Sequence, residues 1–254
     1  MKTMGSQWKA WLIVVFFFVL WEGMTRALQV PVYILPSPGK VFQTLWQNPI
    51  TYLDASMLTI GEALAGLVLG VIAGFLLASL LILSPGLEDG VMTLAILVKS
   101  TPLVAIAPLL TIWLGFGVLP KIVITALLTF FPVLVNILSG LQKVDPALID
   151  LYSTLNASKW EIFLRLRIPT SLSYLFAALK ISAPLALIGA VVAEWTGASG
   201  GLGRIMWLAY TNLNLPFMFA AILILAFVGM VLFRILDQLE KKLVFWQFEE
   251  GEDL

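Results

Sequence analysis

The chain has 254 residues, 60% of them hydrophobic and only 12% charged, with a mean hydropathy of +1.00 and no formal net charge. Soluble domains carry about a quarter charged residues, so this is the composition of an integral membrane protein, and the balanced charge gives no footprint for nucleic acid. The absence of cysteine and histidine excludes disulfides, thiol catalysis, Ser-His-Asp triads and the usual zinc ligands, and no carboxylate cluster points to another metal.

Residues 1–28 open with Lys2 and Lys9 ahead of an apolar run from Trp11 to Leu20. No small-x-small cleavage pattern follows, so the run is expected to be a retained first membrane helix ending near Leu28, with Glu22 reaching the interface. Residues 29–56 form a connector punctuated by Pro31, Pro36, Pro38, Gly39 and Pro49. It has room for a short surface helix over Lys40–Gln47, with Trp46 and Tyr52 as interfacial anchors.

A second membrane helix is predicted over Met57–Leu83. Gly66, Gly70 and Gly74 recur every fourth residue in it, which places small residues on one face for a close helix–helix seam. After the turn at residues 84–90, a third helix spans Val91–Leu114 and contains Lys99, Pro102 and Pro108. A lysine within a span costs about 2.5–3.5 kcal/mol and turns toward protein, water or the interface. The prolines interrupt backbone hydrogen bonds that only a lined cavity would tolerate losing. The segment therefore reads as a broken helix beside a pathway. A fourth helix covers Lys121–Leu141, kinked at Pro132.

Residues 144–169 are the one long polar insert. Leu148, Leu151 and Leu155, then Trp160, Phe163 and Leu164, recur at helical spacing, predicting two short amphipathic helices. Asn156 lies between them, where it can adopt the left-handed conformation and close the first helix. Pro169 is expected to end the second. The fifth membrane helix follows over Tyr174–Trp195 and ends in Glu194 and Trp195. The glycine-rich stretch Thr196–Gly203 has no Gly-Lys-Ser/Thr ending and follows no strand, so it is an outer loop or re-entrant turn, not a phosphate loop. A sixth helix is predicted over Pro216–Leu236, followed by a charged amphipathic tail with Lys241, Lys242 and Trp246 and an acidic end.

Six spans put both termini on one side. The insert shares that side with Lys2, Lys9, Lys143, Lys159, Arg165, Arg167, Lys180, Arg234, Lys241 and Lys242. The other side has Arg26, Lys40, Lys121 and Arg204. The positive-inside rule then makes the insert and both termini cytoplasmic. A membrane enzyme would need polar side chains gathered at one depth. Glu62, Lys99 and Glu194 are the candidates, and they are expected toward different faces of the membrane.

The insert resembles the cytoplasmic loop of the membrane-spanning subunits of bacterial ATP-binding-cassette (ABC) importers. In that family the loop reads Glu-Ala-Ala, three residues, Gly, nine residues, Ile-x-Leu-Pro. Here Asp150-Leu151-Tyr152, Asn156 and Leu166-Arg167-Ile168-Pro169 keep the register with changed identities. KSTPLVAIAPLLTIWLGFG and AEWTGASGGLG resemble the family's third-helix signature and its segment after the fifth helix, LPSPGKV resembles the outer linker of its nitrate/sulfonate/taurine branch, and the likeness spans residues 30–247. The resemblance implies an all-α polytopic membrane protein with six transmembrane helices and the type I ABC importer permease fold. It would form a single permease domain over residues 1–254, with five core helices at 57–239 and a coupling loop at 144–169.

It also implies a multi-pass subunit of the bacterial plasma (inner) membrane that binds no cofactor and is not an enzyme. ATP and Mg would sit on two separate ABC ATPase subunits. The other partners would be a second permease copy forming a homodimer, an extracytoplasmic substrate-binding protein and the lipid bilayer. Asp150, Leu151, Tyr152, Ser153, Leu155, Asn156, Ala157, Ser158 and Trp160 would contact the ATPase, and Lys99, Pro102, Pro108, Glu194 and Trp195 would lie along the pathway. The LNASKWEIFLRLRIP and LKISAPLALIGAVVAEW runs look closest to vitamin-precursor permeases, for riboflavin or the thiamine pyrimidine precursor. Nitrate, sulfonate, taurine or bicarbonate is the alternative cargo, and an ion-coupled secondary transporter the alternative class.

Overall fold

Prolines and short polar caps decide where the helices begin. The computed structural model describes residues 4–245; Lys2, Trp246 and the acidic end of the tail lie outside the described residues. Helix α1 (Met4–Ala27) leads to α2 (Pro38–Gln47), whose start is capped by the Ser37 hydroxyl and carries Pro38 in its first turn. Proline is tolerated there because the N–H it lacks would have no helical partner. Glu22, near the end of α1, accepts hydrogen bonds from the Gly39 amide (2.8 Å) and from Arg26 Nε (2.6 Å), so it fastens α1 to the start of α2.

Helix α3 (Pro49–Leu83) begins well before the expected Met57. Pro49 fits its first turn, and the added turns bury one face through Tyr52 and Ala55. Tyr52, expected as an interfacial anchor, is 3% exposed. Its hydroxyl donates to the Phe217 carbonyl at 3.2 Å. A 3₁₀ turn (Pro85–Leu87) leads to α4 (Glu88–Ser100), then α5 (Leu103–Leu114). The two meet at a 93° bend. The predicted break therefore exists and is located at Thr101-Pro102. Pro108 lies inside α5, which continues through it without a break.

Helix α6 (Val118–Gln142) is the central post, packed between α3 and α9. The glycine stripe of α3 faces it. A Cβ on Gly66 would collide with Thr125, one on Gly70 with Thr129, and one on Gly74 would lie 2.8 Å from Val133 Cγ1. Thr125, Thr129 and Val133 form a ridge at four-residue spacing that fits this groove. The seam is thus inside the chain.

The insert forms α7 (Pro146–Thr154) and α8 (Lys159–Ile162), then a turn of π-helix (Phe163–Arg167) that runs without a stop into α9 (Ile168–Trp195). Pro169 does not end the second helix as expected. It sits in the first turn of α9, and the Ile168 amide bonds back five residues to the Phe163 carbonyl. A proline ring clashes with the carbonyl four residues earlier in a regular α-helix, and the wider π turn accommodates it. After the glycine-rich turn come α10 (Leu202–Thr211) and α11 (Leu215–Leu243).

Among the described residues, four helices are long and apolar enough to cross a membrane: α3, α6, α8–α9 taken together, and α11. The bent pair α4–α5 is apolar enough to make a fifth if its two halves are taken as one broken span, and α1 carries the remaining apolar run. Because α6 enters the insert and α9 leaves it, the bundle has a loop end and an opposite, far end.

Candidate functional site

At the loop end, the chain closes α7 with side chains and turns of its own. Asp145 caps the helix by accepting from the Ala147 amide at 2.9 Å. Asp150, expected to contact the ATPase, is exposed on the helix. Asn156 has φ +57°. The Asn156 amide bonds to the Ser153 carbonyl and the Ala157 amide to the Tyr152 carbonyl, both at 3.0 Å. This is the paired closure of a Schellman motif around a left-handed residue. One residue later Ser158 and Glu161 form a capping box, with Ser158 N to Glu161 Oε2 at 2.8 Å and Glu161 N to Ser158 Oγ at 3.2 Å. The elbow Asn156-Ala157-Ser158 therefore has a defined shape without help from another protein.

With the backbone satisfied, the apolar side chains remain uncovered. Leu151 is 53% exposed, Leu155 70% and Trp160 56%, while Tyr152 is half-buried and Ser153 exposed. Trp160 stacks on Phe163 at 5.3 Å between ring centroids, and Phe163 is buried in the core among Leu81, Leu138 and Leu141. The loop thus presents a fixed apolar face and is rooted in the bundle by one aromatic.

Of the expected pathway residues, Lys99 is exposed in the last turn of α4, beside the break, with its Nζ 4.4 Å from the centroid of the Phe131 ring. That is cation–π distance. Pro102 forms the corner of the break. Trp195 is part of an exposed aromatic pair with Trp207 at the far end, 6.3 Å between ring centroids.

Glu194 is fully buried and hydrogen-bonded within the fold. Its Oε1 accepts from the Thr59 hydroxyl at 2.7 Å and its Oε2 from the Gly203 amide at 2.5 Å. The Leu202 amide in turn donates to Thr59 Oγ1 at 2.8 Å. The glycine-rich turn cradles this carboxylate. Gly201 has φ +104°, and a Cβ there would fall on the carboxyl group of Glu194.

One turn along α3 from Thr59, Glu62 pairs with Lys121 of α6 at 2.5 Å, with side-chain exposures of 4% and 11%. Glu62 and Glu194 were expected toward different faces of the membrane, and Lys121 at the outer start of the fourth helix. The fold gathers all three at the far end of the bundle. Their partners are 59 and 135 residues apart, so no local pattern could show the cluster. Lys180, placed by the sequence on the insert's side, joins α9 to α11 through Asp237 (3.1 Å) and Glu240 (2.5 Å).

Comparison with known proteins agrees with this layout. Residues 66–245 match the family described as binding-protein-dependent transport system inner membrane component. The chain is 34% identical over 230 residues to the formylaminopyrimidine transport permease protein ThiX of Halalkalibacterium halodurans, covering 90% of this chain and 92% of that one. It is 29% identical to the riboflavin transport system permease protein RibX of Chloroflexus aurantiacus, covering 90% and 86%. In fold it is similar to a chain of the MetNI methionine ABC transporter solved in inward-facing conformations, with a TM-score of 0.64 at 17% identity, over 79% of this chain and 98% of that one. These matches favour an ABC importer over an ion-coupled secondary carrier. The chain belongs to the binding-protein-dependent transport system inner membrane components and is the permease subunit of an ABC importer with the type I fold.

Proposed function

We propose that this subunit imports a vitamin precursor of flat-ring type, a formylated aminopyrimidine or riboflavin, driven by ATP hydrolysed on two separate ATPase subunits seated on α7. The observation that carries the driving half is the loop end. Its backbone is fully capped while Leu151, Leu155 and Trp160 stay exposed, which fits a surface kept for another protein. Two copies of the chain would form the pathway, with the loop and both termini in the cytoplasm and a binding protein delivering cargo at the far end. Closure of the ATPases on ATP would move the docked loops and shift the bundle between inward- and outward-facing states.

The cargo half rests on the two similar permeases for a pyrimidine and a flavin. An anionic cargo of the sulfonate or nitrate kind is the second reading, favoured by the exposed Lys99 at the helix break. Uptake of labelled thiamine pyrimidine, riboflavin, taurine, an alkanesulfonate, nitrate and bicarbonate by cells with and without the gene decides between them. Loss of pyrimidine or riboflavin uptake alone is expected. Loss of an anion instead overturns the vitamin reading and makes Lys99 the residue to substitute.

A further inference from the structure

The loop returns to the membrane through the π turn, and that turn is fastened sideways. Arg167, its last residue, donates from Nη1 to the Leu141 carbonyl at 2.6 Å. Leu141 is fully buried in the last turn of α6. The final carbonyls of a helix have no partner within it, and a buried one needs a donor. A guanidinium supplies the donor and the charge that this end of the helix favours. The next residue, Gln142, donates from Nε2 to both carboxylate oxygens of Glu88, at 3.0 and 3.1 Å. Glu88 is the first residue of α4, the helix whose other end is the break beside Lys99. One helical turn therefore receives the exit of the loop on one side and holds the root of the broken span on the other.

We propose that Arg167 is a positioning residue that passes movement of the loop into the bundle: it pins the π turn to α6, and α6 hands the displacement to α4 through Gln142 and Glu88. The proposal rests on the reading of α7 as the ATPase seat. In an unpinned chain the loop would still bind the ATPase, but its displacement would be absorbed at the π turn before reaching α4.

The chain lacks cysteine, so a single Thr101→Cys at the break reports on that position alone. The test uses the whole transporter in proteoliposomes and measures how far ATP with vanadate changes the labelling rate of this cysteine by a maleimide, together with the amount of ATPase subunit co-purified. Arg167→Ala is expected to keep the ATPase subunits and to shrink the ATP-dependent change by about fivefold or more. Arg167→Lys, which restores a donor and a charge, is expected to recover most of it.

Gln142→Ala, at an exposed position, is expected to act in the same direction and carries the test if Arg167→Ala does not accumulate in the membrane. An undiminished change in Arg167→Ala, or in Gln142→Ala where that variant carries the test, overturns the proposal. So does loss of the ATPase subunits from Arg167→Ala, which would make Arg167 part of the seat. Tyr152→Ala run alongside separates the two ideas: if it retains both the ATPase subunits and the full change, the seat itself is wrongly placed.

Discussion

The two ends of the bundle solve opposite problems. At the far end, Glu62, Lys121, Glu194 and Thr59 are buried and hold one another and the amides of Leu202 and Gly203. Charges there are expensive to bury and costly to orphan, so the cluster fixes α3, α6, α9 and α10 in one arrangement. In the loop itself, Asp145, Ser158 and Glu161 finish the backbone of α7 and α8, and Leu151, Leu155 and Trp160 are left outward. The far-end cluster is built from one chain, with only Glu62 Oε2 left without a hydrogen bond within it. The loop end has a fixed shape with an exposed apolar face. Folding and docking are therefore separable in this molecule, and substitutions at the two ends should fail in different ways.

The largest effect is expected from Lys121→Met. It leaves the Glu62 carboxylate buried and unpaired, which costs about 3–5 kcal/mol. Thermal unfolding in detergent should show a large loss, and Glu62→Leu added to Lys121→Met should restore most of it, because replacing a whole buried pair by apolar residues is often neutral. Gly70→Leu forces a side chain into Thr129 across the α3–α6 seam and should cost about 1–3 kcal/mol by overpacking, read from the same unfolding curve. Tyr152→Ala should leave that curve in place, within about 0.5 kcal/mol, and should weaken binding of the ATPase subunit by about 2 kcal/mol, measured by titration in detergent. A fall in melting temperature with unchanged ATPase binding would erase the contrast between the ends. Ser158→Ala is the smallest change, removing one half of a capping box worth about 1 kcal/mol; it should loosen amide protection at residues 159–162 in hydrogen exchange and little else.

Much of the loop end was legible in sequence because its determinants are local. The spacing of Leu148, Leu151 and Leu155 gave α7, and Asn156 gave its left-handed closure. The far end was not legible, because Glu62 meets Lys121 and Thr59 meets Glu194 only after three long helices have packed. For Glu194, expected along the pathway, the sequence did not show what holds its carboxylate. Its glycine-rich sequel was the missed signal: Gly201 and Gly203 leave room for that carboxyl group. Pro169 was read as a stop because sequence rules treat proline against a regular helix, and a π turn lies outside them. Tyr52 was taken for an interface anchor because aromatic residues near a span end usually are, whereas tertiary packing buried it.

The proposed seat of the ATPase subunit is the exposed face of α7. It is probed by crosslinking from a single Ser153→Cys in this cysteine-free chain, in the assembled transporter, with a short bifunctional reagent. A permease–ATPase adduct is expected from residue 153 and none from Thr211→Cys at the far end. No adduct from residue 153 in a complex that still hydrolyses ATP, or an equal adduct from residue 211, would contradict it.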